Sequence, residues 1–259
     1  MQRVLFHSTI FGPVHSRRLG VSLGINLTPD DGEVCTFDCL YCEAGFNAQG
    51  PGTTGFASRA EVARLLAGKL EQMRAAGEKL DVITFSGNGE PTLHPDFAGV
   101  IADTLEIRRL HYPGAKVSVL SNSTRIFDSA VADALDCVDN NILKLDSAID
   151  STIRALNRPA QAGFTAAKVI AGLKRFSGRC IIQTMLVRGE YGGRTVDNTT
   201  PAELKALLEA YREISPRMVM LYSIDRKTPA ENLRKVPREE LQAFADVIHT
   251  TLGTEVEVA

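Results

Sequence analysis

The sequence predicts an α/β fold, an open and partial (βα)6 barrel of parallel strands, organised as a single domain over residues 1–259. Three observations carry this. Short β-branched and apolar runs alternate with helical stretches about six times along the chain. No linker, repeat or low-complexity segment divides it. Several of the apolar runs also end in polar or glycine-containing tails, the place where parallel sheets put their chemistry. A chain of 259 residues suits one barrel and is short for two full domains. Six units are too few to close an eight-stranded ring, so the barrel is expected to stay open.

Each element has its own signal. Residues 20–27 read as the first strand. Residues 58–76 read as a helix, with Ser58 as N-cap, Glu61 completing a capping box, apolar Val62, Leu65, Leu66 and Leu70 at helical spacing, and Gly77 at the C-terminal cap. Residues 81–86 form a second strand, 95–110 a helix with Pro95 near its first turn, 116–120 a third strand and 129–136 a short helix. A fourth strand over 141–145, a helix over 162–176 and a fifth strand over 180–187 follow. Thr200 caps a helix over 201–214, a sixth strand spans 218–224, and a last helix covers 237–252 before a short strand at 254–258.

Composition narrows the class. Hydrophobic residues make up 44% and charged residues 23%, ordinary for a globular protein with a sizeable core. A net charge of −2 demands neither nucleic acid nor an anionic membrane. The first residues lack a signal-peptide pattern, and no run approaches the length of a membrane span, so a cytoplasmic setting without membrane attachment is expected.

The most specific signal is Cys35-Thr-Phe-Asp-Cys39-Leu-Tyr-Cys42, a C-x3-C-x2-C motif directly after the first strand. Thiolates are soft ligands that select iron–sulfur clusters, zinc or Cu(I). Structural zinc wants four ligands, and no second cysteine pair exists to supply the fourth. Three thiolates instead suit a cubane with one iron left open. Cys137 and Cys180 lie in apolar stretches and read as core residues.

With Tyr41 before Cys42, this motif resembles the signature of radical S-adenosylmethionine (SAM) enzymes. The resemblance implies a partial (βα)6, TIM-like barrel and a [4Fe–4S] cluster on Cys35, Cys39 and Cys42 whose open iron holds SAM. It also implies one-electron cleavage of SAM to a 5′-deoxyadenosyl radical that abstracts hydrogen from a substrate. Tyr41 would pack near the adenine, and an electron donor such as flavodoxin or ferredoxin would serve the cluster. Gly87-Asn88-Gly89-Glu90-Pro91-Thr92, after the second strand, matches the family's Gly-Gly-Glu motif at Gly89 and Glu90, with Asn88 in place of the first glycine. That motif binds the methionyl amino group; glycine lets backbone approach a ligand and a carboxylate accepts from ammonium.

Further polar residues end the later strands. Asn122 suits the SAM carboxylate or ribose, or an ordinary turn. Asp146 suits the ribose hydroxyls. Lys144 and Asp146 alternate with Leu143 and Leu145 and, with Gln183 on the fifth strand, are expected to face the barrel interior. Tyr222, Asp225, Arg226 and Thr228 end the sixth strand, where an adenine-facing or substrate-facing edge is expected. Arg17, Arg18 and Arg226 would favour an anionic substrate. Residues 11–236 resemble the short radical SAM proteins related to wyosine-forming tRNA-modifying synthases. Those synthases carry extra N-terminal cysteines for a second cluster, and this chain has no cysteine before Cys35. The substrate class therefore stays open between RNA and an anionic metabolite. The rival expectations are an activase that makes a glycyl radical on a partner protein and a zinc- or cluster-binding module without turnover.

Overall fold

The structure, a computed structural model, describes residues 4–16 and 18–259. Strands β1 (Ile10–Ser16) and β2 (Gly20–Ile25) form an antiparallel hairpin. Strand and helix then alternate through α1 (Arg59–Ala75), β3 (Val82–Phe85), α2 (Phe97–His111), β4 (Lys116–Ser121), α3 (Ser129–Cys137) and β5 (Asn140–Lys144). Two short helices, α4 (Asp150–Leu156) and α5 (Ala166–Leu173), lead to β6 (Ile181–Met185). A second hairpin, β7 (Val187–Tyr191) and β8 (Arg194–Asp197), precedes α6 (Pro201–Ile214) and β9 (Met218–Tyr222). The chain closes with β10 (Asn232–Lys235), α7 (Arg238–Leu252) and β11 (Glu255–Val258).

The main sheet runs β1-β2-β3-β4-β5-β6-β9-β11. Every pairing from β2 onward is parallel. With β1 and β11 at its two ends, the sheet is an open barrel wall of mostly parallel strands, as the alternation predicts. The helix boundaries also follow their caps: Ser58 accepts from the Glu61 amide, and Thr200 from the Glu203 amide.

Several features depart from the expectation. Strand β1 carries Gly12-Pro13, a loop-like pair that an edge strand tolerates because one side of it needs no ladder partner. The fifth strand ends at Met185, and the chain re-enters as β7 in a separate sheet ordered β10-β7-β8. Gly192 and Gly193 both take positive φ, the two-residue turn that right-handed strand twist favours. The helix expected over 162–176 begins only at Ala166, where Thr165 accepts from the Lys168 amide. Cys137 is a correction: it ends α3 on the exposed side, whereas Cys180 is fully buried as expected.

Strand alternation sorts the barrel. Outward-facing Ile83, Phe85, Val117, Val119, Leu143, Ile182 and Val219 pack under the helices in the main core, and full burial of each such side chain is worth roughly 1.5–3 kcal/mol. Inside the lower half, Ile142, Ile181 and Met220 form a small apolar plug. Above it the lumen turns polar, and that change places the site at the C-terminal ends of the strands. Among the described residues no helix is long and apolar enough to cross a membrane.

Candidate functional site

The cysteine segment lies between β2 and α1 and has almost no regular structure, yet it is tied down on two sides. On one side Val34 bridges Gly89: the Val34 amide donates to the Asn88 carbonyl at 3.1 Å, and the Glu90 amide to the Val34 carbonyl at 3.0 Å. On the other, the end of α4 offers carbonyls that have no partner within the helix. The Asp38 amide donates to Asn157 and the Leu40 amide to Leu156, each at 2.9 Å, while the Ala160 amide returns a bond to Thr36 at 2.9 Å. Phe37 and Leu40 are buried in the core, and Phe37 meets Phe164 edge-on at 5.3 Å.

These ties bring Cys35, Cys39 and Cys42 to one cavity of about 290 Å³. Gly89 and Glu90 from the loop after β3, Asn122 from the end of β4, and the lumen side chains Lys144, Gln183 and Tyr222 line it too, as does Tyr41. Glu90 is 2% exposed. Its carboxylate accepts from the Asn122 amide at 2.6 Å and from the Thr92 hydroxyl and amide at 2.6 and 3.1 Å. Burial pushes its pKa up, against the lowering effect of those donors.

Asn88, the departure from the Gly-Gly-Glu pattern, has a physical explanation. Its side chain turns away from the cavity, accepting from the Phe6 amide at 2.8 Å and donating to the Phe6 and Pro29 carbonyls at 2.9 Å each. The position next to Gly89 thus anchors the N-terminal segment instead of facing a ligand.

Burial raises all three thiol pKa values. Glu90 adds to the effect at Cys35, and Glu33 adds to it at Cys42. For Cys39, burial outweighs the opposing pull of Lys144 and the Asn157 amide, leaving a value of about 11. Metal ligation needs the thiolates, so loading such a site displaces protons. The donor set fits an iron–sulfur cluster better than a single ion. Among the described residues no three His, Cys, Asp or Glu side chains converge as a mononuclear site requires. A cluster takes each thiolate on a different iron, so its ligands stand apart.

Other expected residues land elsewhere. Asp146 does not line the cavity; it is 2% exposed and saturated from within the protein. Tyr41 donates its hydroxyl to it, Asn157 donates at 2.6 Å, the Met185 amide at 2.9 Å and Lys144 at 3.4 Å. Arg18, between β1 and β2, enters the lumen from the N-terminal ends of the strands. It lines a cavity of about 630 Å³ with Lys116, Asn140 and Met218, and its guanidinium carbon sits 4.8 Å from the centre of the Tyr222 ring. Arg17 falls outside the described residues. Arg226 lines a separate cavity of about 520 Å³, which shares Cys42 and Glu43 with the cysteine cavity, and it pairs with Glu43.

Sequence reasoning missed Glu33, Thr36 and Asn157. Glu33 accepts from the Cys42 thiol at 3.2 Å, and Asn122 reaches both the Thr36 hydroxyl at 2.8 Å and the Cys35 sulfur at 3.4 Å. Asn157 had a legible signal: apolar Ile153 and Leu156 at helical spacing, then Asn157 and Pro159, mark a helix end.

A model of the radical SAM superfamily matches residues 31–191. The chain is also 31% identical to a UPF0026 protein of Synechocystis over 86% of this chain and 77% of that protein. It belongs to the radical SAM superfamily and to the UPF0026 proteins. A Helicobacter pylori UPF0026 protein is 28% identical over 84% of this chain. A Brachyspira hyodysenteriae protein named GTPase Obg is 25% identical over 96% of it. The chain spans 66% of the former and 35% of the latter, less than two thirds of each. Its sequence has no G-x-x-x-x-G-K-[ST] phosphate loop.

Among solved structures, a radical SAM methyltransferase from Sphaerobacter thermophilus superimposes with a TM-score of 0.66 at 15% identity, over 92% of this chain and 65% of that one. TYW1 with a lysine–pyruvate adduct bound gives 0.55 at 17% identity, over 88% and 73%. Streptococcus suis SuiB bound to SAM gives 0.62 at 15%, over 88% and 48%. At these identities the likeness is one of fold. Membership of the superfamily implies SAM and an iron–sulfur cluster.

Proposed function

We propose that this protein is a radical SAM enzyme, cytoplasmic and served by a donor such as flavodoxin or ferredoxin, that holds a [4Fe–4S] cluster on Cys35, Cys39 and Cys42. The observation that carries this reading is the convergence of three thiols, Glu90 and Gly89 on one cavity at the C-terminal ends of parallel strands. When bound, the cluster would supply one-electron reduction of SAM, the source of a 5′-deoxyadenosyl radical for hydrogen abstraction.

The chain's own residues bind and orient. Glu90, fixed by Asn122 and Thr92, offers its carboxylate to the methionyl ammonium. Gly89 lets the backbone approach it closely. Asn122, on Cys35 and Thr36, orients the rim of the cavity. The adjoining cavity that shares Cys42 and Glu43 is the route for substrate, and Arg226 there suits an anionic one, a small metabolite or the phosphates of RNA.

The test is anaerobic reconstitution with iron and sulfide, then dithionite and SAM, with 5′-deoxyadenosine measured against Cys39→Ala. Product from the wild type and none from the variant supports the reading. Stoichiometric zinc, with no product from either, overturns it in favour of a binding module.

A further inference from the structure

The end of α4 does more than close a helix. Besides the backbone bonds that hold Thr36, Asp38 and Leu40, Asn157 is 1% exposed and points its carboxamide at the cysteine loop. Its Nδ2 lies 3.5 Å from the Cys39 sulfur, 2.9 Å from the Tyr41 hydroxyl and 2.6 Å from Asp146. The next residue, Arg158, takes φ +50°, a conformation that L side chains adopt only where the surroundings impose it, and its guanidinium pairs with Asp38 at 2.9 Å. It also packs over the Phe46 ring at 5.1 Å. A buried amide donor is thus held against the Cys39 sulfur from an element outside the cysteine motif.

We propose that Asn157 is a positioning residue for the cluster: with one amide hydrogen on Asp146 and the other shared between the Tyr41 oxygen and the Cys39 sulfur, its N–H···S contact raises the reduction potential of the bound cluster and so eases electron delivery. The inference rests on the cluster assignment made above. Hydrogen bonds to ligand sulfurs stabilise the more negative, reduced state, which is one of the levers a protein has on cluster potential. Asn122 stands in the same relation to Cys35 at 3.4 Å, but it also lines the SAM cavity, so Asn157 is the cleaner probe.

The experiment uses the full chain, reconstituted anaerobically without SAM, and reads the midpoint potential by EPR-monitored titration of wild type and Asn157→Leu. Leucine matches asparagine in shape and removes the donor. The expected result is a native near-UV circular dichroism spectrum, an iron load like wild type, and a lower potential. The one-electron equilibrium should shift against reduction by about threefold to tenfold, or roughly 30 to 60 mV at about 59 mV per decade. Should Asn157→Leu fail to fold, the smaller Asn157→Ser, whose hydroxyl cannot span the distance, carries the same expectation. A folded, loaded variant whose equilibrium lies within about twofold of wild type overturns the proposal, as does one that folds but loads no cluster. If wild type itself loads no cluster, the functional assignment fails instead, and the two failures are distinguishable by iron content.

Discussion

Replacing Gly89 with alanine tests whether the seam between the cysteine loop and the loop after β3 holds the site together. Gly89 has φ +134°, and a Cβ there would lie 2.0 Å from the Val34 carbonyl oxygen and 2.6 Å from its carbon. Neither neighbour is a flexible side-chain end, so the backbone itself has to move. Forcing this φ on an L residue costs about 1–3 kcal/mol. Parting the strands of the seam also breaks the two bonds through Asn88, Val34 and Glu90, at about 0.5–1.5 kcal/mol each. The sum is about 2–6 kcal/mol, and at about 2–4 °C per kcal/mol for a chain of this size the melting temperature should fall by at least about 4 °C. Val34 precedes Cys35 and Glu90 follows Gly89, so iron loading should fall with it. Thermal unfolding of the apo protein and iron content after reconstitution read both effects. An alanine variant that melts within about 2 °C of wild type and loads iron fully would refute the reasoning.

Asp146→Ala should destabilise the protein by about 3–5 kcal/mol, because it strands the Lys144 ammonium inside the lumen together with three hydrogen-bond donors. Burial opposes the Lys144 charge, but Asp146 and Tyr222 together outweigh that and raise its pKa; denaturant titration showing no loss would contradict this. For the two remaining cysteines, iodoacetamide mapping by mass spectrometry should find Cys137 modified first. Burial pushes Cys180 from 9.0 up to about 12, so its thiolate fraction at mildly alkaline pH is lower by about a thousandfold. The stabilising contribution of the Cys180 proton is fully present below the unfolded value of 9.0 and is lost as pH rises towards about 12, so stability should decline across that window. Asn141 is 3% exposed with neither amide atom partnered among the described residues, so Asn141→Leu should raise the melting temperature, by about 1–3 kcal/mol equivalent; a fall would show that the amide is satisfied in solution.

Much of the fold was legible because local signals and the global arrangement agree. The serine cap at Ser58 and the threonine cap at Thr200 set helix starts to within a residue. The apolar runs of β3, β4, β5, β6 and β9 are buried on both faces, so they read as strands from composition alone. The small sheet β10-β7-β8 was not legible, since its strands are short and largely exposed and carry little periodic signal.

The sequence by itself determined the cysteine triad, its place after the first parallel strand, and the neighbouring Gly89-Glu90 pair, because ligand type and spacing are local properties of a chain. Only the tertiary structure decided what stands around them. Asp146 and Arg18 carried the right chemistry for ligands, yet Asp146 is consumed by Tyr41, Asn157, Met185 and Lys144, and Arg18 enters from the opposite rim. Conversely, Asn157 lies 118 residues from Cys39 along the chain but reaches its sulfur, as Asn122 reaches Cys35 across 87. Such contacts depend on strand order and helix docking, which bring distant backbone together through non-local packing and leave no mark in the spacing of the residues they join.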